Sequence, residues 1–158
     1  MSQPLVEAIF VADAAGQPMR SVDSAEAVAG RGLAADRYGL GTGFYSPKVG
    51  PDRHLTLIAA EQLEGLAAES VPLAPGEHRR NIVTRGLDVD ALVDQRLAIG
   101  KVELRGVRPC GPCAHLEQVT GRPGLRDAIG PNRGGLRVEV VRGGQIRVGD
   151  SVRILDAI

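Results

Sequence analysis

The chain has no tryptophan and only two phenylalanines and two tyrosines among its 158 residues. Proteins that hold single-stranded nucleic acid stack bases on aromatic rings along a basic groove. Both components are missing here, because 19 basic residues are balanced by 19 acidic ones and there is no basic tail. Nucleic-acid binding is therefore not expected. No apolar run approaches the roughly 20 residues that a membrane helix needs, so no membrane association is expected either. Met1-Ser2-Gln3-Pro4-Leu5 lacks the charged and apolar regions of a secretory leader, which points to a reducing, cytoplasmic setting. Lysine is nearly absent as well: Lys48 and Lys101 are the only two, and arginine carries the rest of the positive charge. Arginine's planar fork suits phosphate and carboxylate ligands, yet GC-rich coding produces the same enrichment, so position must decide. What remains is one domain over residues 1–158, long enough for an aliphatic core of Val, Leu, Ile and Ala without cross-links.

Cysteine is equally scarce, and both copies lie in Cys110-Gly111-Pro112-Cys113. This spacing has a redox reading, in which a thiolate at a helix N-terminus attacks disulfides as in thioredoxin. The surroundings argue against it. Lys101 to Pro109 alternates apolar and charged residues, the pattern of a half-exposed antiparallel strand rather than a buried parallel one. Too little chain follows Cys113 to complete a parallel sheet. A structural zinc site would need two more ligands, and His54, His78 and His115 show no second paired spacing. An inert, buried cysteine is the plain alternative, less suited to Cys113 with Pro, Gly and His beside it.

Short strands and glycine turns dominate the pattern. Leu5 to Ala12 reads as a strand, and Ala25 to Ala29 begins another before a glycine-rich loop through Gly43. His54 to Ile58 alternates, and Ala60 to Glu69 places Leu63 and Leu66 at helical spacing. Asn81 to Val83 is a brief strand, Val89 to Val93 a helical turn, and Leu97 to Val107 an antiparallel run broken at Gly100. Leu136 to Val140 alternates, Gly143-Gly144 reads as a tight hairpin turn, and Gln145 to Leu155 as the returning strand. The expected fold is mainly β: a closed or nearly closed antiparallel β-barrel with short helices in its connections.

Seven motifs follow one another in order. They are Gly32-Leu33-Ala34-Ala35-Asp36-Arg37, Arg53-His54-Leu55-Thr56, Arg79-Arg80-Asn81-Ile82, Leu97-Ala98-Ile99-Gly100, Pro112-Cys113-Ala114-His115-Leu116, Gly143-Gly144-Gln145-Ile146 and Gly149-Asp150-Ser151-Val152. Together they resemble the MOSC domain, the module named for the C-terminal part of molybdenum cofactor sulfurases, over about residues 30–155. The resemblance implies an antiparallel barrel like the small domain of pyruvate kinase. It also implies a role for Cys113, as a molybdenum ligand or as the carrier of a persulfide. Cys110 is extra to the pattern and is a candidate resolving thiol.

Molybdopterin binds its metal through a soft dithiolene and ends in a phosphate, so its site calls for one more soft ligand and several fixed cationic or amide donors. Cys113 is the thiolate, and a helix over Ala114 to Val119 would favour that anion at its N-terminus. Arg79 and Asn81 match the Arg-x-Asn of family members that contact the pterin or its phosphate. Arg37, Arg53, Arg80 and Arg133 are further anion-binding candidates by context. Asp36 is read as orienting an arginine, His54 as a structural histidine, and His115 as a modulator of Cys113 or a solvent-facing residue.

Two functions follow from the resemblance. The first is a molybdenum cofactor-dependent oxidoreductase that reduces small N-hydroxylated compounds, with electrons from a partner protein because the chain shows no flavin or haem motif. Reductases of this family often carry an extra domain, and none is expected here. The second is a sulfur carrier or cofactor-handling module with a persulfide on Cys113, fed by a cysteine desulfurase in trans; pyridoxal phosphate is not expected in this chain. A thioredoxin-like dithiol oxidoreductase using Cys110 and Cys113 stands third. The sequence sets no oligomeric state.

Overall fold

The computed structural model describes residues 3–41, 54–111, 114–130 and 133–155, with only the backbone of residues 114 and 115. Alternation of apolar and polar residues builds several of its strands, and glycine follows three of them, at Gly86, Gly100 and Gly143. The strands are β1 (Leu5–Val11), β2 (Arg20–Val22), β3 (Ser24–Val28), β4 (Gly32–Leu33), β5 (Leu55–Ala59), β6 (Ile82–Arg85), β7 (Arg96–Ile99), β8 (Val102–Pro109), β9 (Leu136–Arg142), β10 (Gly144–Arg147) and β11 (Val152–Ile154). The helices are short: α1 (Arg37–Leu40), α2 (Ala60–Ala68), α3 (Ala114–Thr120) and α4 (Leu125–Ile129), with a 3₁₀ turn at Val89–Leu92.

One sheet has the order β11-β7-β8-β9-β5-β6-β1-β2, and a second has β10-β3-β4. Neighbours run antiparallel except β5 and β6, which are parallel because α2 carries the chain back between them. The mainly β character agrees with the pattern in the sequence. The ladders, however, do not close into a barrel, since β11 and β2 stand at the two ends. The large sheet nevertheless curls back on itself. The Val6 amide donates to the Asp150 carbonyl at 2.9 Å, the Gly149 amide to Val6 at 2.8 Å and the Val152 amide to Pro4 at 2.8 Å, around an isolated Leu5–Ser151 bridge.

Gly143-Gly144 is not the tight hairpin that its sequence suggests. A Cβ on Gly143 would meet the Ala27 carbonyl at 2.5 Å, so the chain leaves β9 hard against β3. There β10 pairs with β3, and β11 continues to the edge of β7. Four elements were not anticipated: β2, only three residues long, α4, framed by Gly121-Arg122-Pro123-Gly124 and Gly130, and β4 and α1, which fall where a glycine-rich loop was expected.

The principal core is aliphatic, as the composition requires. Ile9, Leu33, Leu55, Leu57, Ile82, Leu97, Ile99, Leu104, Leu136 and Ile146 are sealed inside it, each contributing on the order of 2 kcal/mol through burial. β5 is buried on both faces, because Ile58, Phe10, Val83 and Ala60 form a second cluster beneath Leu63 of α2. A third cluster, Leu66, Leu116, Leu125 and Ile129, fastens α3 and α4 to α2. That cluster fixes α3, the helix that follows Cys113 in sequence.

Candidate functional site

Asp36 organises the first part of the site. Its side chain caps α1 by accepting from the Tyr38 amide at 3.3 Å. It also accepts from the Ala12 amide at 3.0 Å and pairs with Arg37 at 2.9 Å, fully buried. Arg37 in turn donates to the Arg79 carbonyl at 3.1 Å and lies 4.8 Å over the Tyr38 ring. Asp36 thus orients an arginine, and Arg37 uses its fork to hold the backbone of Arg79.

Arg79 is the unusual residue. Its backbone is left-handed at φ 65°, a conformation that favours glycine, and its amide closes a turn onto the Gly76 carbonyl at 3.0 Å. Strained non-glycine residues of this kind cluster where a ligand is held. The guanidinium donates through Nη1 to the Gln17 carbonyl, while Nη2 is buried without a hydrogen-bond partner. Burial, and then the charge on Arg37, push the group down to about 10, with Asp36 and Tyr38 acting in the opposite sense. It therefore stays cationic at neutral pH. Arg79 lines a cavity of about 280 Å³ with Pro18, Met19, Gly76, Glu77, Val119 and Thr120. Glu77 is already committed, accepting from the Ala74 amide at 3.0 Å and from Arg122 at 2.9 Å. A cation with one donor nitrogen unpartnered, in the wall of a mixed polar and apolar cavity, fits one anionic group on an organic ligand.

The other candidates are engaged by the protein itself. Arg80 donates to the carbonyls of Gly134 at 2.6 Å and Cys110 at 3.1 Å, tying the end of β8 to the chain before β9. Asn81 accepts from the Thr56 amide at 3.1 Å and hydroxyl at 3.3 Å, and donates to the Phe10 carbonyl at 3.1 Å. It stitches β5, β6 and β1 together. Arg133 donates to the carbonyls of Ile129 at 3.1 Å and Ala128 at 2.8 Å at the end of α4 and pairs with Glu69. His54 accepts from the Val140 amide at 3.0 Å, a structural contact. Cys110 is buried, with its amide on the Gly135 carbonyl at 2.8 Å. β8 leads into it antiparallel to both neighbours, which is not the parallel strand of a thioredoxin-like dithiol.

Cys113 and Arg53 lie outside the described residues. α3 begins at Ala114, so a helix does follow Cys113 directly in sequence, and His115 is its second residue. The arrangement brings together Arg37, Arg79 and the far end of α3, whereas Arg133 belongs to the α4 junction. Sequence reading missed Met19 and Thr120 in the cavity wall and the Gln17 carbonyl that Arg79 grips. Pro75-Gly76 was the available signal, a turn dipeptide whose Gly76 has φ 81° and packs so closely that a Cβ would meet that of Met19 at 2.9 Å.

The family model for the MOSC domain matches residues 45–153, more than half of the chain. The chain belongs to the MOSC domain family. Solved structures agree on the fold. The YuaD protein of Bacillus subtilis superposes with a TM-score of 0.79 at 19% identity, over 99% of this chain and 98% of that one. YiiM of Geobacillus stearothermophilus gives 0.73 at 17% identity, over 97% and 75%. YiiM of Escherichia coli gives 0.71 at 17%, over 100% and 72%. No curated protein matches. The MOSC fold here carries no helix, among the described residues, long and apolar enough to cross a membrane.

Proposed function

We propose that this MOSC domain binds the molybdenum cofactor and reduces N-hydroxylated compounds. The observation that carries the reading is Arg79: a buried guanidinium whose Nη2 has no partner, held in a strained backbone at the wall of a cavity. Arg79 would hold the anionic end of the cofactor and Cys113 would ligate the metal. When bound, the cofactor supplies two-electron redox chemistry, drawing on a separate electron-donor protein. The net reaction takes two electrons and two protons and converts an N–OH group to N–H and water. Arg37 holds the Arg79 backbone in place, and Arg80 fixes the strand end that leads into Gly111-Pro112-Cys113. Both are positioning residues.

A second reading draws on a different observation. Arg37, Arg80, Asn81 and Arg133 commit their polar groups internally, which suits a protein whose working group is the thiol alone. In that case the Cys113 thiolate attacks the outer sulfur of a desulfurase persulfide, a new S–S bond forms on Cys113, and the donor cysteine leaves as its thiolate. Protein purified from a host that makes the cofactor separates the two readings. Near-stoichiometric molybdenum and fluorescent pterin, lost in Cys113→Ser, is the expected result. No metal in either protein, with Cys113 gaining one sulfur atom by mass from a desulfurase, would transfer the assignment to sulfur carriage.

A further inference from the structure

On the large sheet's outer face, away from the Arg79 cavity, four directly opposed residues form one row across β11, β7, β8 and β9: Arg153, Ala98, Glu103 and Arg142. Residues opposed in this way share a face. Lys101, in the turn between β7 and β8, stands next to the middle pair of the row and beside Gly144. Together with Leu155 these side chains line a groove of about 600 Å³. Its one carboxylate, Glu103, is taken by Arg96. Among the described residues, Lys101, Arg142 and Arg153 have no ion-pair or hydrogen-bonding partner. The whole chain carries no net charge, so this groove is a local concentration of cation.

We propose that the groove is a docking surface for an acidic polypeptide segment of a partner protein. Three unpartnered cations above a floor containing Ala98 and Leu155 complement a chain that offers carboxylates beside apolar groups, and arginine is enriched at such contacts. The groove is far larger than a phosphate or sulfate ion. It has no aromatic ring on which a nucleotide base stacks. It is concave, which suits a projecting loop or tail better than a lipid surface. Arg79 is not part of the groove, and the proposal does not rest on the cofactor reading.

The test is fluorescence anisotropy with a fluorescein-labelled glutamate-rich peptide. Saturable binding is expected, weakening as salt rises towards physiological strength. Arg142→Glu and Arg153→Glu should each weaken it at least about tenfold, whereas Arg126→Glu, the same charge change on exposed α4, should leave it within about twofold. All three side chains are exposed, and thermal melts verify that each variant folds. Lys101→Glu, in a turn, provides the same readout if either strand variant does not. Equal losses from Arg142→Glu and Arg126→Glu would overturn the proposal, as would no binding at all. Displacement by equimolar inorganic phosphate, or tighter binding to single-stranded RNA or to phosphatidylserine vesicles, would equally overturn it by assigning the groove to another ligand class.

Discussion

His78 shows how much chemistry one buried side chain can hold without belonging to the motif series. Its Nδ1 accepts from the Arg80 amide at 2.9 Å, and its ring meets Phe10 edge-on at 5.1 Å. Burial, helped by the charge on Arg80, holds it down at about 3 from the ordinary 6.5. The unfolded chain takes up a proton near pH 6.5 that the folded protein refuses until about 3. Stability is therefore full above that window and falls as pH drops through it. His78→Asn keeps an acceptor for the Arg80 amide and removes the titration. Urea unfolding at pH 7, 5.5 and 4.5 should show the variant's acid slope smaller by about one proton; coincident slopes would contradict the assignment. At the same scale, Arg-x-Asn at Arg79 and Asn81 was legible as a motif, but the division of labour within it was not. Asn81 reaches Thr56 across 25 residues of sequence and Phe10 across 71. Contacts so distant in the chain leave no local trace, and they determine which polar group remains free.

Among the elements, period-2 alternation made β8 and β9 legible, and helical spacing made α2 legible, because each buries one face of a regular repeat. The glycines misled where their role is tertiary. Gly143-Gly144 carries a hairpin signature, yet its small residues serve a close crossing over β3. The same physics governs the segment before Cys113. A Cβ on Gly134 would stand 2.0 Å from the Cys110 carbonyl, the group that Arg80 also grips, whereas one on Gly111 would meet nothing within 4 Å. Gly134→Ala should cost about 2–3 kcal/mol in unfolding free energy and open Cys110 to alkylation in the native protein. Gly111→Ala should do neither. Denaturant melts and peptide mapping after iodoacetamide treatment measure both effects, and native alkylation of Cys110 in the wild type would contradict its burial.

For the whole molecule, the β-rich class was legible from turn density and aliphatic composition, and the seven motifs gave the family. The parallel β5–β6 pair and the open ladder order were not, since strand pairing across such distances is set by the assembled core. Charge neutrality likewise concealed local grouping: Glu7 and Glu64 converge on Arg85, while Lys101, Arg142 and Arg153 line one groove. Of the candidate cofactor-binding arginines described (Arg37, Arg79, Arg80 and Arg133), Arg79 alone keeps a buried guanidinium nitrogen without a partner. Pterin and molybdenum content of Arg79→Gln and Arg133→Gln, purified in parallel from a cofactor-producing host, tests most directly whether it holds an anion. Arg79→Gln should lose about tenfold or more of its loading while Arg133→Gln keeps it. Equal retention in both, or loss only in Arg133→Gln, would contradict it.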